Sequence, residues 1–135
     1  MSEERQAKGA SGSLLETLAM TVVERLPERV VVTMPVTTGH HQPMGYLHGG
    51  ASVALAETAA SVAANLNCGT DKVALGQEIN ANHLRPIREG LLTATATPLH
   101  IGRTSQVWDV KIRDEQERLV CVSRCTLAAV PRQRQ

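Results

Sequence analysis

The chain has 135 residues, with 14 basic and 13 acidic side chains and a formal net charge of +1, and this length suits one domain with a modest core. The charges are scattered instead of forming the basic stripe that nucleic-acid binding requires, so we expect no DNA or RNA partner. Phe is absent, and Trp108 and Tyr46 are the only Trp and Tyr, which leaves few rings on which bases or sugars could stack.

The first half of the chain predicts a tail, a short helix and a strand. Residues 1–12 and 131–135 are polar and predict flexible tails on either side of a single domain at residues 13–130. Apolar residues at helical spacing then predict a short amphipathic helix: Leu14, Leu15, Leu18 and Val22. Arg29–Val36 is rich in β-branched residues and predicts a strand, and Thr37–Tyr46 is rich in turn formers.

The longest predicted element is an Ala-rich helix over Gly49–Asn67. It is apolar on nearly every side, so we expect it to be buried. Four segments dense in Val, Thr, Ile and Leu follow and predict consecutive antiparallel strands: Lys72–Leu84, Leu91–His100, Arg103–Asp114 and Arg118–Val130. One strand, a buried helix and a four-stranded meander predict the α+β class, with an antiparallel sheet around one central helix.

The cysteines and the hydropathy predict a cytoplasmic protein. Cys121 and Cys125 are four residues apart in one predicted strand, roughly 13 Å, which is too far for a disulfide. The N-terminus has no apolar signal segment, and no run approaches the ~20 apolar residues of a membrane span. We therefore expect no membrane partner.

One carboxylate stands alone in the predicted central helix. Between His48 and Asp71, Glu57 is the only ionisable side chain other than the thiol of Cys68. Burying an unpartnered carboxylate costs several kcal/mol or more. We therefore interpret Glu57 as functional, in preference to a helix glutamate that reaches solvent past small alanines.

The start of this helix, His48-Gly49-Gly50, predicts an anion or oxyanion site, because helix N-termini present unpaired N–H groups and glycine admits a close approach. A plain glycine-rich helix entry is the alternative. Gly49 and Glu57 are eight residues apart, roughly 12 Å along the helix, too far to act on one carbonyl group. If they act together they come from different subunits, which predicts an obligate dimer with two shared sites.

Two further polar residues are candidates for the same site. Ser61 is four residues after Glu57 on the same helix face. Its hydroxyl either orients a water or a substrate group, or is one of the serines common in Ala-rich helices. Gln42, six residues before His48, either donates its amide to a substrate oxygen or is a solvated loop residue.

Other catalytic chemistries find little support in the sequence. No His-x-x-x-His or paired-Glu spacing accompanies the five histidines, so we expect no metal: His40, His41, His48, His83 and His100. The Gly-x-Ser-x-Gly motif of serine hydrolases is absent, as is a paired or activated cysteine. A phosphate-cradling glycine loop is also absent.

Several motifs occur in a recognisable order. The run Gln42–Ser52, QPMGYLHGGAS, precedes Leu55-Ala56-Glu57, and Glu78–His83, Arg88-Glu89-Gly90 and Pro98–Gly102 follow. Together they resemble the signature of hot-dog-fold acyl-CoA thioesterases of the glutamate-dependent aryl-CoA type. They are especially similar to 1,4-dihydroxy-2-naphthoyl-CoA and hydroxybenzoyl-CoA thioesterases and to siderophore-pathway proofreading relatives, over residues 13–130.

The resemblance implies that Glu57 is the nucleophile or general base, while Gly49 N–H and Gln42 polarise the thioester carbonyl. His48 would help to place the thioester, and Ser61 would assist the water or contact the aryl ring. It also implies contacts with the acyl-CoA at Gly76, His83, Leu84, Arg85, Pro86, His100, Ile101, Gly102, Arg103, Thr104 and Ser105. Coenzyme A is then part of the substrate, no cofactor is expected, and the expected assembly is a homotetramer of two dimers.

Two alternative functions stay open. A hot-dog dehydratase or hydratase acting on (3R)-hydroxyacyl thioesters also places an acid on the central helix, but pairs it with a histidine in a His-Phe-Pro-like context. The run His40-His41-Gln42-Pro43 matches that context poorly. A non-catalytic acyl-CoA-binding module would keep the pocket without needing Glu57, Gln42 and Gly49.

Overall fold

The computed structural model of the protein describes residues 12–133. Its elements are α1 (Leu14–Thr17), β1 (Thr21–Leu26), β2 (Arg29–Val36), a 3-10 turn (Thr38–His40), α2 (Gly49–Leu66), β3 (Lys72–His83), β4 (Gly90–Ile101), β5 (Ser105–Arg113) and β6 (Leu119–Pro131). Of the predicted N-terminal tail, only Gly12 is among the described residues. Residues 134 and 135 of the predicted C-terminal tail also lie outside them. Pro131, where that second tail was expected to begin, is the last residue of β6.

The six strands form one antiparallel sheet in the order β1-β2-β4-β5-β6-β3, and α2 packs against it. This confirms the predicted α+β class with an antiparallel sheet around a long central helix. The predicted strand at Arg29–Val36 is confirmed at both ends, and the predicted central helix is confirmed to within one residue. No helix formed by the described residues is both long enough and apolar enough to span a bilayer.

The inner face of α2 is built almost entirely from small residues, all of them buried: Ser52, Leu55, Ala56, Ala59, Ala60, Ala63 and Ala64. Short side chains let the sheet backbone come close to the helix. Trp108 on β5 is fully buried and donates its indole N–H to Oε1 of Gln106 at 2.8 Å, while the Gln106 amide donates to the Ala64 carbonyl at 3.2 Å. The largest core side chain is therefore tied to the helix backbone by a fully satisfied polar bridge.

The last turn of α2 fixes the position of β3. Asn65 donates its amide to the carbonyl of Ala74 at 3.2 Å and accepts the N–H of Ala74 at 2.9 Å, as a neighbouring strand would. Two residues farther on, a β-bulge interrupts the β3–β6 register between Gly76 and Glu78. Bulges bend a strand and redirect its side chains, and they are common next to active sites.

Asp114 closes the turn between β5 and β6. Its carboxylate accepts hydrogen bonds from the N–H of Gln116 at 3.0 Å, the N–H of Arg118 at 2.9 Å and Nε of Arg118 at 2.8 Å. Burial raises the pKa of Asp114, but the hydrogen bonds and the charge of Arg118 lower it by more, so the net pKa lies below its ordinary value of 3.8.

Two sequence predictions about the fold are wrong. The predicted N-terminal helix was expected to reach Val22, but α1 ends at Thr17 and Ala19 adopts a left-handed φ of 57°. The β-branched residues from Thr21 onward form β1, in which Thr21 pairs with Thr33 and Val22 with Val32 of β2. Their side chains favour extended backbone, and pairing with β2 satisfies it.

The predicted four-stranded meander is also wrong for its first strand. β4, β5 and β6 are neighbours in sequence order, as expected, but β3 pairs with β6 and β4 pairs with β2. β3 therefore lies at one edge of the sheet, next to β6. The chain between β3 and β4, residues 84–89, passes β6 and β5 before β4 begins beside β2.

Candidate active site

The start of α2 offers one unpaired backbone donor. His48 is the N-cap residue, and its Nδ1 accepts the N–H of Gly50 at 2.7 Å, which puts the proton of the neutral imidazole on Nε2. The N–H of Gly49 donates to no group within residues 12–133. This N–H lies at the positive end of the helix dipole and can donate to an oxygen from outside the chain.

Gln42 supplies a second donor in the loop before α2. Its Oε1 accepts the N–H of Met44, and only the oxygen of the side-chain amide can accept such a bond, so the amide orientation is fixed. The Gln42 side chain donates to no group in the described part of the chain. Its amide nitrogen therefore keeps both hydrogens for a ligand.

Gly49 and Gln42 line the same cavity, which has a volume of about 380 Å³. The other lining residues are Tyr46, Leu47, Ser52, His83, Leu84, Arg85, Pro86, Ile87 and Val120. The His83 ring lies against Gly49, and a Cβ atom at Gly49 would sit 2.9 Å from its Nε2. Glycine at position 49 therefore leaves room for the imidazole as well as for close approach to its own N–H.

Glu57 lies two turns into α2 and lines a different groove of about 550 Å³. The other lining residues are Leu14, Leu15, Gly50, Val53, Ala54, Thr58, Ser61 and Val62. The hydroxyl of Thr58 is bonded to the Ala54 carbonyl at 2.7 Å, whereas the hydroxyl of Ser61 has no partner within residues 12–133. The groove is thus largely apolar, with the Glu57 carboxylate and the Ser61 hydroxyl as its available side-chain polar groups.

The carboxylate of Glu57 packs over the backbone of Gly76. A Cβ atom at position 76 would overlap Oε2 of Glu57 and lie 3.2 Å from its Cδ. Because Gly76 begins the β3 bulge, the bent strand and the missing side chain together make the space that the carboxylate occupies. Glycine at position 76 therefore allows Glu57 to lie against β3.

The two buried cysteines of β6 are not nucleophiles. Burial, followed by the negative charges of Glu57 and Glu78, raises the pKa of the fully buried Cys125 thiol to about 12. Burial also raises the pKa of Cys121. Since the thiolate is the reactive form, both side chains stay protonated and inert at neutral pH.

The chain and its fold have counterparts among known proteins. The family described as the thioesterase superfamily matches residues 44–121. This chain belongs to the thioesterase superfamily. It is 51% identical over 115 residues to the 1,4-dihydroxy-2-naphthoyl-CoA hydrolase of Listeria monocytogenes, an alignment that covers 85% of this chain and 94% of that protein.

Solved structures of similar thioesterases share the fold. A thioesterase from Haemophilus influenzae aligns with a TM-score of 0.89 and 44% identity, over 97% of this chain and 92% of that one. A Staphylococcus aureus thioesterase was solved with one glutamate replaced by alanine (TM-score 0.86, 45% identity, 89% and 100% coverage) and with one glutamine replaced by alanine (TM-score 0.84, 47% identity, 87% and 98% coverage). The chain is therefore a thioester hydrolase.

Within one thioesterase chain, the predicted substrate contacts fall into two distant groups. His83, Leu84, Arg85 and Pro86 line the cavity with Gly49. The predicted contacts at positions 100–105 form the β4–β5 hairpin, which lines neither this cavity nor the Glu57 groove. The Arg103 carbonyl accepts from Nζ of Lys72 at 3.0 Å, so the hairpin lies at the opposite end of β3 from His83, roughly 36 Å along the strand.

Two of the thioesterase's histidines have structural roles. Nδ1 of the buried His40 accepts the N–H of Thr37 at 3.2 Å, and its Nε2 donates to the Leu18 carbonyl at 2.7 Å. Nε2 of His41 donates to the Arg88 carbonyl at 2.7 Å. Among the described residues, no three His, Cys, Asp or Glu side chains are grouped so that they could hold a metal ion.

Three residues beside these two cavities are not predicted from the sequence as site residues. Leu14 and Leu15 of α1 line the Glu57 groove, and Arg88 contacts Tyr46 beside the Gly49 cavity. The position of α1 beside the groove depends on tertiary packing, which local sequence patterns do not reveal. The sequence presents Arg88 only as part of a motif, because its partner Tyr46 is 42 residues away.

Proposed function

We propose that the enzyme hydrolyses an acyl-CoA with an aryl or hydroxyaryl acyl group to the free acid and coenzyme A. Glu57 is the nucleophile or general base, and Gly49 N–H with the Gln42 amide polarises the thioester carbonyl. The observation that carries this proposal is the pair of unpaired donors, Gly49 N–H and the Gln42 amide, on one cavity. Preorganised donors of this kind stabilise the oxyanion that forms when a carbonyl is attacked.

The chemistry needs few groups because the leaving thiolate is stable. Attack on the thioester carbon forms a C–O bond and places a negative charge on the carbonyl oxygen. Collapse of this intermediate breaks the C–S bond, and the thiolate takes a proton released from water. Glu57 fits the attacking role because it is a carboxylate in a largely apolar groove, where few other groups could activate water.

The relatives support the same assignment. In the Staphylococcus aureus thioesterase, the glutamate and the glutamine chosen for replacement are 15 residues apart, as Gln42 and Glu57 are in this chain. The Listeria relative is named for a hydroxyaryl thioester, 1,4-dihydroxy-2-naphthoyl-CoA. The Ser61 hydroxyl, one turn after Glu57 and without a partner within residues 12–133, suits a hydroxyl on such a ring.

We further propose that each site is shared between two subunits, and that two such dimers form a tetramer. Gly49 and Glu57 line separate cavities of one chain, so a thioester on Gly49 needs the carboxylate of a partner. The outer edge of β3 pairs with no strand formed by residues 12–133, and a free strand edge readily pairs with another chain. The two groups of predicted substrate contacts lie near opposite ends of β3, and a dimer with antiparallel β3 strands would bring them together.

A substrate panel tests the activity. Benzoyl-CoA, 1,4-dihydroxy-2-naphthoyl-CoA and straight-chain acyl-CoA esters are incubated with the enzyme, and free thiol is measured. We expect the aryl esters to give the highest kcat/KM, and Glu57→Gln to lose nearly all activity while Glu28→Gln, in the exposed turn between β1 and β2, retains it. Full activity in Glu57→Gln, or no turnover of any ester, contradicts the proposal.

Single-turnover hydrolysis in ¹⁸O-water separates the two roles of Glu57. If the carboxylate attacks the carbonyl, water resolves the resulting anhydride and label enters the Glu57 side chain. If Glu57 activates water, label appears only in the acid product. Mass spectrometry of the peptide that contains Glu57 distinguishes the two.

Subunit mixing tests the shared site. A chain carrying Glu57→Gln and a chain carrying Gln42→Ala each retain only a small residual activity, but their heterodimer contains one intact site if Gln42 and Glu57 come from different subunits. After refolding an equimolar mixture, we expect about one quarter of the wild-type activity per chain, since half of the dimers are mixed. Activity that stays at the level of the separate variants would show that each chain carries its own complete site.

A further inference from the structure

An arginine and a tyrosine form a clamp at the rim of the Gly49 cavity. Nη2 of Arg88 donates to the hydroxyl of Tyr46 at 2.9 Å, and Cζ of Arg88 lies 4.6 Å from the centre of the Tyr46 ring. The guanidinium therefore makes a cation–π contact and a hydrogen bond with the same side chain. Tyr46 is half-buried and is one of the cavity-lining residues.

The loop that carries Tyr46 docks on the segment that carries Arg88. The N–H of Leu47 donates to the Ile87 carbonyl at 2.7 Å, and Nε2 of His41 donates to the Arg88 carbonyl at 2.7 Å. His41 and Leu47 also form an isolated β-bridge with each other. The two ends of the loop, His41 and Leu47, are thus attached to residues 88 and 87, and the Arg88 side chain also attaches Tyr46 beside the second end.

Tyr46 holds Gln42 directly. The N–H of Gln42 donates to the Tyr46 carbonyl at 2.7 Å, and the Gln42 carbonyl accepts the N–H of Gly45 at 3.0 Å. Inside this tight turn, Gly45 has a φ of 84°, a conformation that favours glycine. Any movement of Tyr46 therefore moves the backbone of Gln42 and the amide that it presents to the cavity.

We propose that Arg88 is a positioning residue, which holds Tyr46 and through it sets the place of the Gln42 amide relative to Gly49. This inference rests on the proposed oxyanion role of Gln42. Donors stabilise an oxyanion only within a narrow range of distances, so a small displacement of the loop lowers the rate of the chemical step. The exposed arginine at position 88 acts on the reaction without touching the substrate.

Steady-state kinetics on an aryl-CoA ester separate positioning from binding. Arg88→Met keeps a long side chain but removes the charge and the donors, and we expect kcat to fall about tenfold with KM changed less than twofold. Arg88→Lys, which keeps a cation over the ring, is expected to recover most of the loss. Arg25→Met, an exposed arginine on β1, is the matched control and is expected to behave as wild type.

A Gln42→Ala background tests whether Arg88 acts through Gln42. If it does, Arg88→Met lowers kcat in the wild type and has little further effect in Gln42→Ala. Tyr46→Phe, which keeps the ring, is a milder second variant with the same expected pattern in case Arg88→Met lowers the melting temperature.

Each other outcome contradicts a defined part of the proposal. If Arg88→Met raises KM and leaves kcat unchanged, Arg88 contacts the coenzyme A phosphates instead. If the losses in kcat multiply in the Arg88→Met/Gln42→Ala double variant, Arg88 acts independently of Gln42. Wild-type kinetics in Arg88→Met and Tyr46→Phe, with a low kcat in Gln42→Ala, would refute the clamp alone. Wild-type kcat in Gln42→Ala itself would refute the proposed oxyanion role.

Discussion

Replacing Gly76 by alanine is expected to damage catalysis while sparing the fold. The new methyl group would overlap Oε2 of Glu57 and lie 3.2 Å from its Cδ, whereas non-bonded heavy atoms rest at roughly 3.5–4.0 Å. The carboxylate is the free end of a flexible side chain and can move away by about 1 Å, so the stability cost is small. A misplacement of about 1 Å can lower a rate by about 100-fold, and we expect kcat to fall by about that factor.

The assay is thiol release from an aryl-CoA ester, with the melting temperature measured in parallel. Gly39→Ala is the matched control, because a Cβ there would meet only Oγ1 of Thr37 at an ordinary 3.7 Å. If Gly76 instead contacts the substrate, as the family resemblance implies, KM rises and kcat changes little. Wild-type kcat in a folded Gly76→Ala enzyme would refute the link between the placement of Glu57 and the reaction.

Three further predictions concern stability and reactivity. The pKa of Asp114 is lowered in the folded protein. Its contribution to stability is therefore complete above its ordinary pKa of 3.8 and is lost as the pH falls through the lower pKa of the folded state. Asp114→Asn should reduce the melting temperature at pH 7, and the difference from wild type should shrink below pH 3.8. Cys125, whose pKa is raised to about 12, should resist alkylation by iodoacetamide at pH 8 in the native enzyme and react in urea, as followed by mass spectrometry; rapid native labelling would contradict its burial. Gln106→Leu leaves the indole N–H of Trp108 without its acceptor and should reduce the free energy of unfolding by about 1–3 kcal/mol in urea titrations, whereas an unchanged value would show that the buried bridge is not needed.

Local patterns in the sequence were enough to predict most of the elements. The Ala-rich run beginning at Gly49 has no breaker inside it, and the alternating β-branched run at Arg29–Val36 has one clear period, so both were predicted almost to the residue. The prediction for the segment around Val22 was wrong because the spacing of its apolar residues fits a short helix as well as a strand. Pairing with Val32 of β2 decides the outcome, and such pairing is not visible in a single segment.

The sequence predicted the candidate site less completely, because the site is made by contacts between distant segments. The lone charge at Glu57 and the glycine at position 49 are unusual in their local context, so the sequence could offer both as candidates. The crossing of residues 84–89, which sets β3 apart from β4, depends on which edges pair in the whole sheet. The Arg88–Tyr46 contact joins two exposed or half-buried residues whose types alone carry no signal of partnership.

The two faces of α2 differ in burial, and this affects how the enzyme can evolve. The buried face is fully packed, and any larger side chain at Ala56, Ala59 or Ala60 would have to displace its packed neighbours. The half-buried face that lines the Glu57 groove includes Val53 and Thr58, which border open space in this chain and tolerate a change of side-chain size more readily. A randomised library restricted to that face should therefore yield mostly folded variants, so that new acyl preferences can be selected without first rebuilding the scaffold.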